Sequence, residues 1–149
     1  MMGNDDIDKA DRLSRRRARA LPILAMVFIL QQASYFSSVI EGARSVDHVR
    51  IGAWLILTLV ILLVLTTGGF WFSRPAVRAL VDDEVTRSNR HDAMRIGFIA
   101  SVLGGLAVYV LTFFEPIGAR EAVHLLITVG MAAALLRFGY LERRAHRSG

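Results

Sequence analysis

Four long apolar runs, separated by polar segments, set the pattern of this chain. They fall at about residues 20–41, 51–72, 95–114 and 122–141, and each carries at most one charged side chain. A run of about 18 or more apolar residues is long enough to cross a hydrocarbon core of about 30 Å as a helix. A helix also satisfies its own backbone donors and acceptors, which lipid cannot do. No strand-like alternation of the kind a membrane barrel needs is visible. The pattern predicts an all-α fold, an integral membrane four-helix transmembrane bundle. Residues 1–19 would form a basic cytoplasmic tail and 20–145 a single four-span transmembrane domain with a cytoplasmic loop at 73–94; residues 146–149 would be a short tail.

The segments between the runs add detail. The opening "MMGNDDIDKADR" is polar and mixed in charge, which predicts a disordered or loosely helical start. Pro22 suits the beginning of a first membrane helix, where a missing N–H costs little. In "SRPAVRALVDDEVTRSNRHDAMR", Ser73 is a candidate N-cap and Pro75 follows it, while Val77, Leu80, Val81 and Val85 share a helical face. A short cytoplasmic interfacial helix between spans 2 and 3 is therefore expected, with Asn89 or Asp92 capping the third span. "EPIGARE" reads as a tight turn. Trp54 and Trp71 flank the second run as interfacial aromatics, and Tyr140 and its arginines anchor the fourth.

Charge supplies the orientation. The net charge is +5 and the pI near 10.7. Fifteen of the 18 basic residues lie in the two tails and the 73–95 segment, and three (Arg44, Arg50 and Arg120) in the other two connections. Basic residues are retained on the cytoplasmic side. Both termini and the 73–94 loop are therefore expected in the cytoplasm, with a multi-pass chain in the membrane. Topology accounts for the basic balance, so no direct nucleic-acid contact is expected. "SRRRAR" before "LPILAMVFIL" has the form of a signal, but Arg19 and the poor cleavage site "QQA" predict that the span is retained. The chain has no cysteine, which excludes disulfides, thiolate catalysis and cysteine-ligated metals.

One apolar run is not uniformly apolar. Gln31, Ser34, Tyr35, Ser38 and Glu41 lie on one face of the first helix at about 100° per residue. Polar groups facing lipid each cost several kcal/mol by order of magnitude. This face must meet protein, water or a ligand, and a homodimer contact is one candidate. Gly97, Ser101 and Gly105 on the third helix, and Gly130 and Ala134 on the fourth, follow the small-xxx-small spacing that lets helices approach closely. The simplest arrangement packs the Gln/Ser stripe against these small residues. A polar cavity is the alternative.

Candidate chemistry is sparse. Glu41 is too near the end of its run for a proton-coupled site, and Arg44 is its expected partner. Of the other histidines only His48, near the same face, is placed to meet His124, so a hydrogen-bonded role is expected rather than haem ligation. Asp82, Asp83, Glu84 and Asp92 alternate with arginines, which fits ion pairing better than a metal site. No catalytic grouping or phosphate loop is present. The expectation is no enzyme, no cofactor and no metal, with membrane lipid as the constant partner.

The stretches "VDDEVTRSNRHDAMRIGF" and "REAVHLLITVGMAAALLRFGYLERR" resemble small four-helix bacterial membrane proteins in which a cytoplasmic D-E-x-T-R-x-N-R segment leads into the third span and a basic L-E-R-R ends the chain. The matching residues are Asp83, Glu84, Thr86, Arg87, Asn89 and Arg90, then Leu141, Glu142, Arg143 and Arg144. Some of these proteins resemble membrane partners of helix-turn-helix regulators. The resemblance implies a membrane-held regulator and carries over no active site. The cytoplasmic segment is the only sizeable soluble feature of the chain, so a non-enzymatic scaffold or regulator is expected, with Asp83, Glu84, Arg87 and Arg90 docking a cytoplasmic partner. The alternatives are a small transporter or channel subunit with a polar path along span 1, and an accessory subunit of a larger membrane complex.

Overall fold

A computed structural model describes residues 4–41, 47–68 and 84–145. These form four helices and no strand: α1 (Asn4–Glu41), α2 (Asp47–Thr67), α3 (Glu84–Leu111) and α4 (Ala119–Ala145). The all-helical expectation holds. Among the described residues two helices, α3 and α4, are long and apolar enough to cross a membrane, and the apolar part of α2, Ile51–Thr67, is shorter. The predicted surface helix falls mainly on residues 73–83, outside the described residues.

Several expected boundaries move. The N-terminal tail is helical from Asn4 and runs without a break into the first apolar stretch, giving a helix of 38 residues, about 57 Å at 1.5 Å per residue. Residues 84–94 are likewise not loop. They form the first turns of α3, so neither Asn89 nor Asp92 caps it. Trp54 is not an interfacial anchor but is buried at 8% exposure. The turn before α4 is as expected. The Gly118 N–H donates to Glu121 Oε2 at 3.2 Å, a carboxylate three residues into the helix reaching back to its start.

The core forms around α4. On one side α1 buries Ala18, Leu21, Ala25 and Phe28, which recur every three or four residues as a helical stripe does. Leu21, Ala25 and Phe28 belong to one cluster with Ala132, Leu135 and Phe138 of α4. Helix α2 contributes Trp54, Ile61 and Leu65, again at helical spacing. On the other side of α4 lies α3. Helix α2 ends at Gly68, whose φ of 76° and N–H bond to the Val64 carbonyl (2.9 Å) make a left-handed C-terminal cap.

Pro22 lies inside α1 rather than at its start. It has no N–H to give to the carbonyl of Ala18, four residues back. That carbonyl instead accepts from Arg143 Nε at 3.2 Å. The proline ring rests on Gly139, where an added Cβ would stand 3.1 Å from Pro22 Cγ and Cδ. One helix's broken ladder is thus repaired by a side chain of another. Because Pro22→Ala restores the local bond, Arg143→Ala is expected to cost about 1 kcal/mol more in the wild-type chain than in the Pro22→Ala variant. Detergent unfolding of the four members of that cycle measures the difference.

Candidate functional site

Two buried polar clusters lie near the two ends of α4, centred on Glu142 and His124. These residues are 18 positions apart, about 27 Å along the helix.

The first cluster joins three helices. Arg17 of α1 is 6% exposed and Glu142 of α4 3%. Arg17 Nε donates to Glu142 Oε2 at 3.0 Å, and Nη2 donates to the same oxygen and to Thr86 Oγ1 of α3 at 2.9 Å. Asn89 Nδ2 of α3 donates to the other carboxylate oxygen at 3.2 Å. The Arg17 guanidinium also lies over the Phe138 ring, 5.5 Å from its centroid. Nearby, Arg137 grips Asp92 through Nε (2.8 Å) and Nη2 (2.7 Å) at a half-exposed site. A buried ion pair has to recover a large desolvation cost, and it does so only when its remaining donors and acceptors are bonded. Both Glu142 oxygens meet that condition.

Helix periodicity explains the convergence. Thr86, Ala93 and Gly97 are all buried and line one face of α3 at about 3.6-residue spacing, with Asn89 half-buried beside them. That face lies against α4, so Asn89 reaches Glu142, Thr86 reaches Glu142's partner Arg17, and Gly97 meets the Gly130 backbone. The described parts of the segments that carry the resemblance, 84–90 and 141–144, are therefore spatial neighbours through Thr86, Asn89 and Glu142.

The second cluster joins α1, α2 and α4. His124 Nε2 donates to Gln32 Oε1, and the ring of Trp54 stacks on His124 with centroids 4.2 Å apart. The Gln32 carbonyl can only accept, which places the imidazole proton on Nε2. Gln32 Nε2, Trp54 Nε1, Thr58 Oγ1 and Thr128 Oγ1 are buried without a hydrogen-bond partner. Thr58 and Thr128 lie one turn from Trp54 and His124 on the same faces.

The expected sites distribute as follows. Gln31 is only half-buried, and its neighbour Gln32 turns inward. Ser34, Tyr35, Ser38 and Glu41 belong to α1, but their side chains lie outside the described residues. The small residues of α3 face those of α4, not the first helix. A Cβ on Gly97 would stand 2.8 Å from both Ala134 Cβ and the Gly130 carbonyl. Gly105 meets Leu126 in the same way at 3.3 Å, and Ser101 Oγ donates to the Leu126 carbonyl at 3.3 Å. The packing of the Gln/Ser stripe on Gly97, Ser101 and Gly105 is thereby corrected: α4 fills that groove. Of the expected docking residues, Glu84 and Arg87 are exposed and Arg90 is half-buried, while Asp83 lies outside the described residues. Among the described residues no three His, Asp or Glu side chains are grouped to hold a metal.

The sequence reading missed Arg17, Thr86, Asn89 and Glu142 as a unit, and it missed Gln32. One signal existed. Extending the stripe Leu21, Ala25, Phe28 by four residues reaches Gln32, not Gln31. A test follows. His124→Leu strands Gln32 and is expected to cost about 1–3 kcal/mol, whereas Gln32→Leu/His124→Leu costs less. Gln31→Leu is expected within about 0.5 kcal/mol of wild type. Unfolding in one detergent compares all three.

Comparison with protein-family models, with curated proteins and with solved structures finds no match to this chain.

Proposed function

We propose that the chain is a four-span protein of the bacterial inner membrane, with both termini cytoplasmic, that acts without catalysis as a scaffold or regulator for a soluble partner. The observation that carries this reading is the continuity of the helices. Apolar α1 and α3 pass without a break into charged extensions, and the extensions are fastened to α4 by the Arg17–Glu142–Thr86–Asn89 cluster. A rearrangement inside the membrane would move the exposed Glu84 and Arg87 as part of one rigid helix. The exposed character of the apolar surface supports the membrane part. Phe98, Leu103, Leu106 and Tyr109 of α3 stand 71%, 60%, 58% and 63% exposed, unlike a soluble core helix. The exposed Thr66 and Thr67 hydroxyls fold back on the carbonyls of Leu62 and Leu63, as they must in lipid.

The test is purification of the tagged full-length protein from its host in mild detergent, with mass determination of the particle. A stoichiometric soluble partner, lost on Glu84→Arg/Arg87→Glu, supports the reading. A stoichiometric membrane complex that survives that change favours an accessory subunit. A bare homo-oligomer overturns both. A small transporter or channel subunit is the second reading, and the unpartnered polar atoms around Gln32 and His124 favour it. Solute flux in liposomes that is lost on Gln32→Leu would establish it.

A further inference from the structure

We infer that the groove between α1 and α2 binds an acidic phospholipid, with one acyl chain along the groove and the phosphate at Arg16. The inference rests on the membrane reading above and goes beyond it. The groove encloses about 490 Å³ and is lined by Arg16, Ala20, Leu24 and Val27 of α1 and by Val64 and Gly68 of α2, among others. Apart from its arginine mouth it is aliphatic. From Arg16 to Val27 it follows α1 for 11 residues, about 16 Å, close to the depth of one hydrocarbon leaflet.

The two adjacent arginines divide the work. Arg17 turns into the bundle and is held by Glu142 and Thr86. Arg16, about 100° further round the helix, stays exposed at the mouth of the groove. Arg12 and Arg19 are exposed within about 60° of Arg16's direction but do not line the groove, so Arg16 is the exposed cation that the groove itself presents. No carboxylate lies within four residues of Arg16 along α1. An aliphatic slot with a cationic rim at the expected cytoplasmic surface matches a lipid of net negative charge. A zwitterionic lipid offers the same chains and a phosphate, but its cationic head meets the arginines. Basic residues at such a surface each contribute about 1 kcal/mol toward acidic lipid, roughly fivefold in affinity.

Detergent-solubilised full-length protein would be titrated with dioleoyl phosphatidylglycerol or dioleoyl phosphatidylcholine, and bound lipid counted by native mass spectrometry. Preferential retention of phosphatidylglycerol is expected, with Arg16→Gln weakening it about fivefold. Arg120→Gln, at the other end of the bundle, should leave it unchanged. Val64→Phe, which fills the slot, should lower retention of both lipids. Equal retention of the two lipids overturns the inference, as does equal loss in Arg16→Gln and Arg120→Gln. Displacement by inorganic phosphate alone also overturns it, because the site would then be one for a free anion. Alkaline extraction of host membranes separates the two failures. Protein that stays in the membrane but shows no lipid preference removes only this inference, whereas protein released by alkali removes the membrane reading itself.

Discussion

Glu142→Leu is expected to destabilise the bundle by about 3–5 kcal/mol, because it leaves the Arg17 guanidinium buried without its counter-charge. Glu142 is 3% exposed and receives Arg17 through two nitrogens and Asn89 through a third. Removing it strands donors from α1 and α3 together. The intact pair contributes much less than that figure suggests, since its attraction largely offsets the desolvation of two charges. A sharper expectation follows. Arg17→Leu/Glu142→Leu should cost clearly less than Glu142→Leu alone, with a coupling energy of about 1–3 kcal/mol. Reversible unfolding in mixed detergent micelles reads all three variants. Additive losses would mean that the two charges do not depend on each other, and that the cluster does not fasten α1 to α4. The same variants bear on function. If the docking face is held in place by this cluster, Glu142→Leu loses the soluble partner and the double variant recovers part of its binding.

What the sequence discloses and what it conceals divide along physical lines. Four helices are legible because burial in lipid or protein selects long apolar runs, and those runs are local. Helix ends are less legible where polar residues continue a helix. Asn89 and Asp92 look like caps, yet their side chains are used across the bundle, by Glu142 and Arg137, while the backbone stays helical through them. Pro22 looks like a start for the same reason. Its lost bond is made good by Arg143, 121 positions away, which no local window contains. The arginines near the N-terminus suggest an orientation by their number, but a count of charges does not say which one turns inward. Arg17 and Glu142 are 125 residues apart, and only the packing of α1 on α4 brings them together. Gln31 and Gln32 differ by about 100° of rotation. Polar periodicity alone favoured the first, and the apolar stripe below selects the second. The small residues stand at a spacing that lets helices approach closely, and Gly97 lies against Gly130 and Ala134. Which helix they meet was not encoded locally, and the neighbour in sequence, α4, proved to be the neighbour in space.

Gly97→Leu is expected to separate α3 from α4 and to cost about 3 kcal/mol or more, the upper part of the range for overpacking. The reason lies in what surrounds the missing side chain. A first carbon placed on Gly97 would already stand 2.8 Å from the Gly130 carbonyl oxygen and 2.8 Å from Ala134 Cβ. Neither can swing aside as the end of a flexible side chain could, because one is backbone and the other is fixed to it. The helices must move apart, and Ser101 then loses its bond to the Leu126 carbonyl. Gly104→Leu is the comparison that isolates the contact. A Cβ there meets only Val129 at ordinary distances of 3.6 and 3.8 Å, so the helix-propensity gain should offset much of any crowding. The two variants carry the same added atoms on the same helix, about two turns apart. If both lose equal stability in the same detergent, close approach at Gly97 does not hold α3 to α4. If Gly97→Leu alone fails while Ala134→Gly/Gly97→Ala is better tolerated than Gly97→Ala, the cost is steric and local. The helix that carries Glu84 and Arg87 is then held to the hub of the bundle at two levels, by close packing at Gly97 and by the bonds of Thr86 and Asn89 to the Arg17–Glu142 pair.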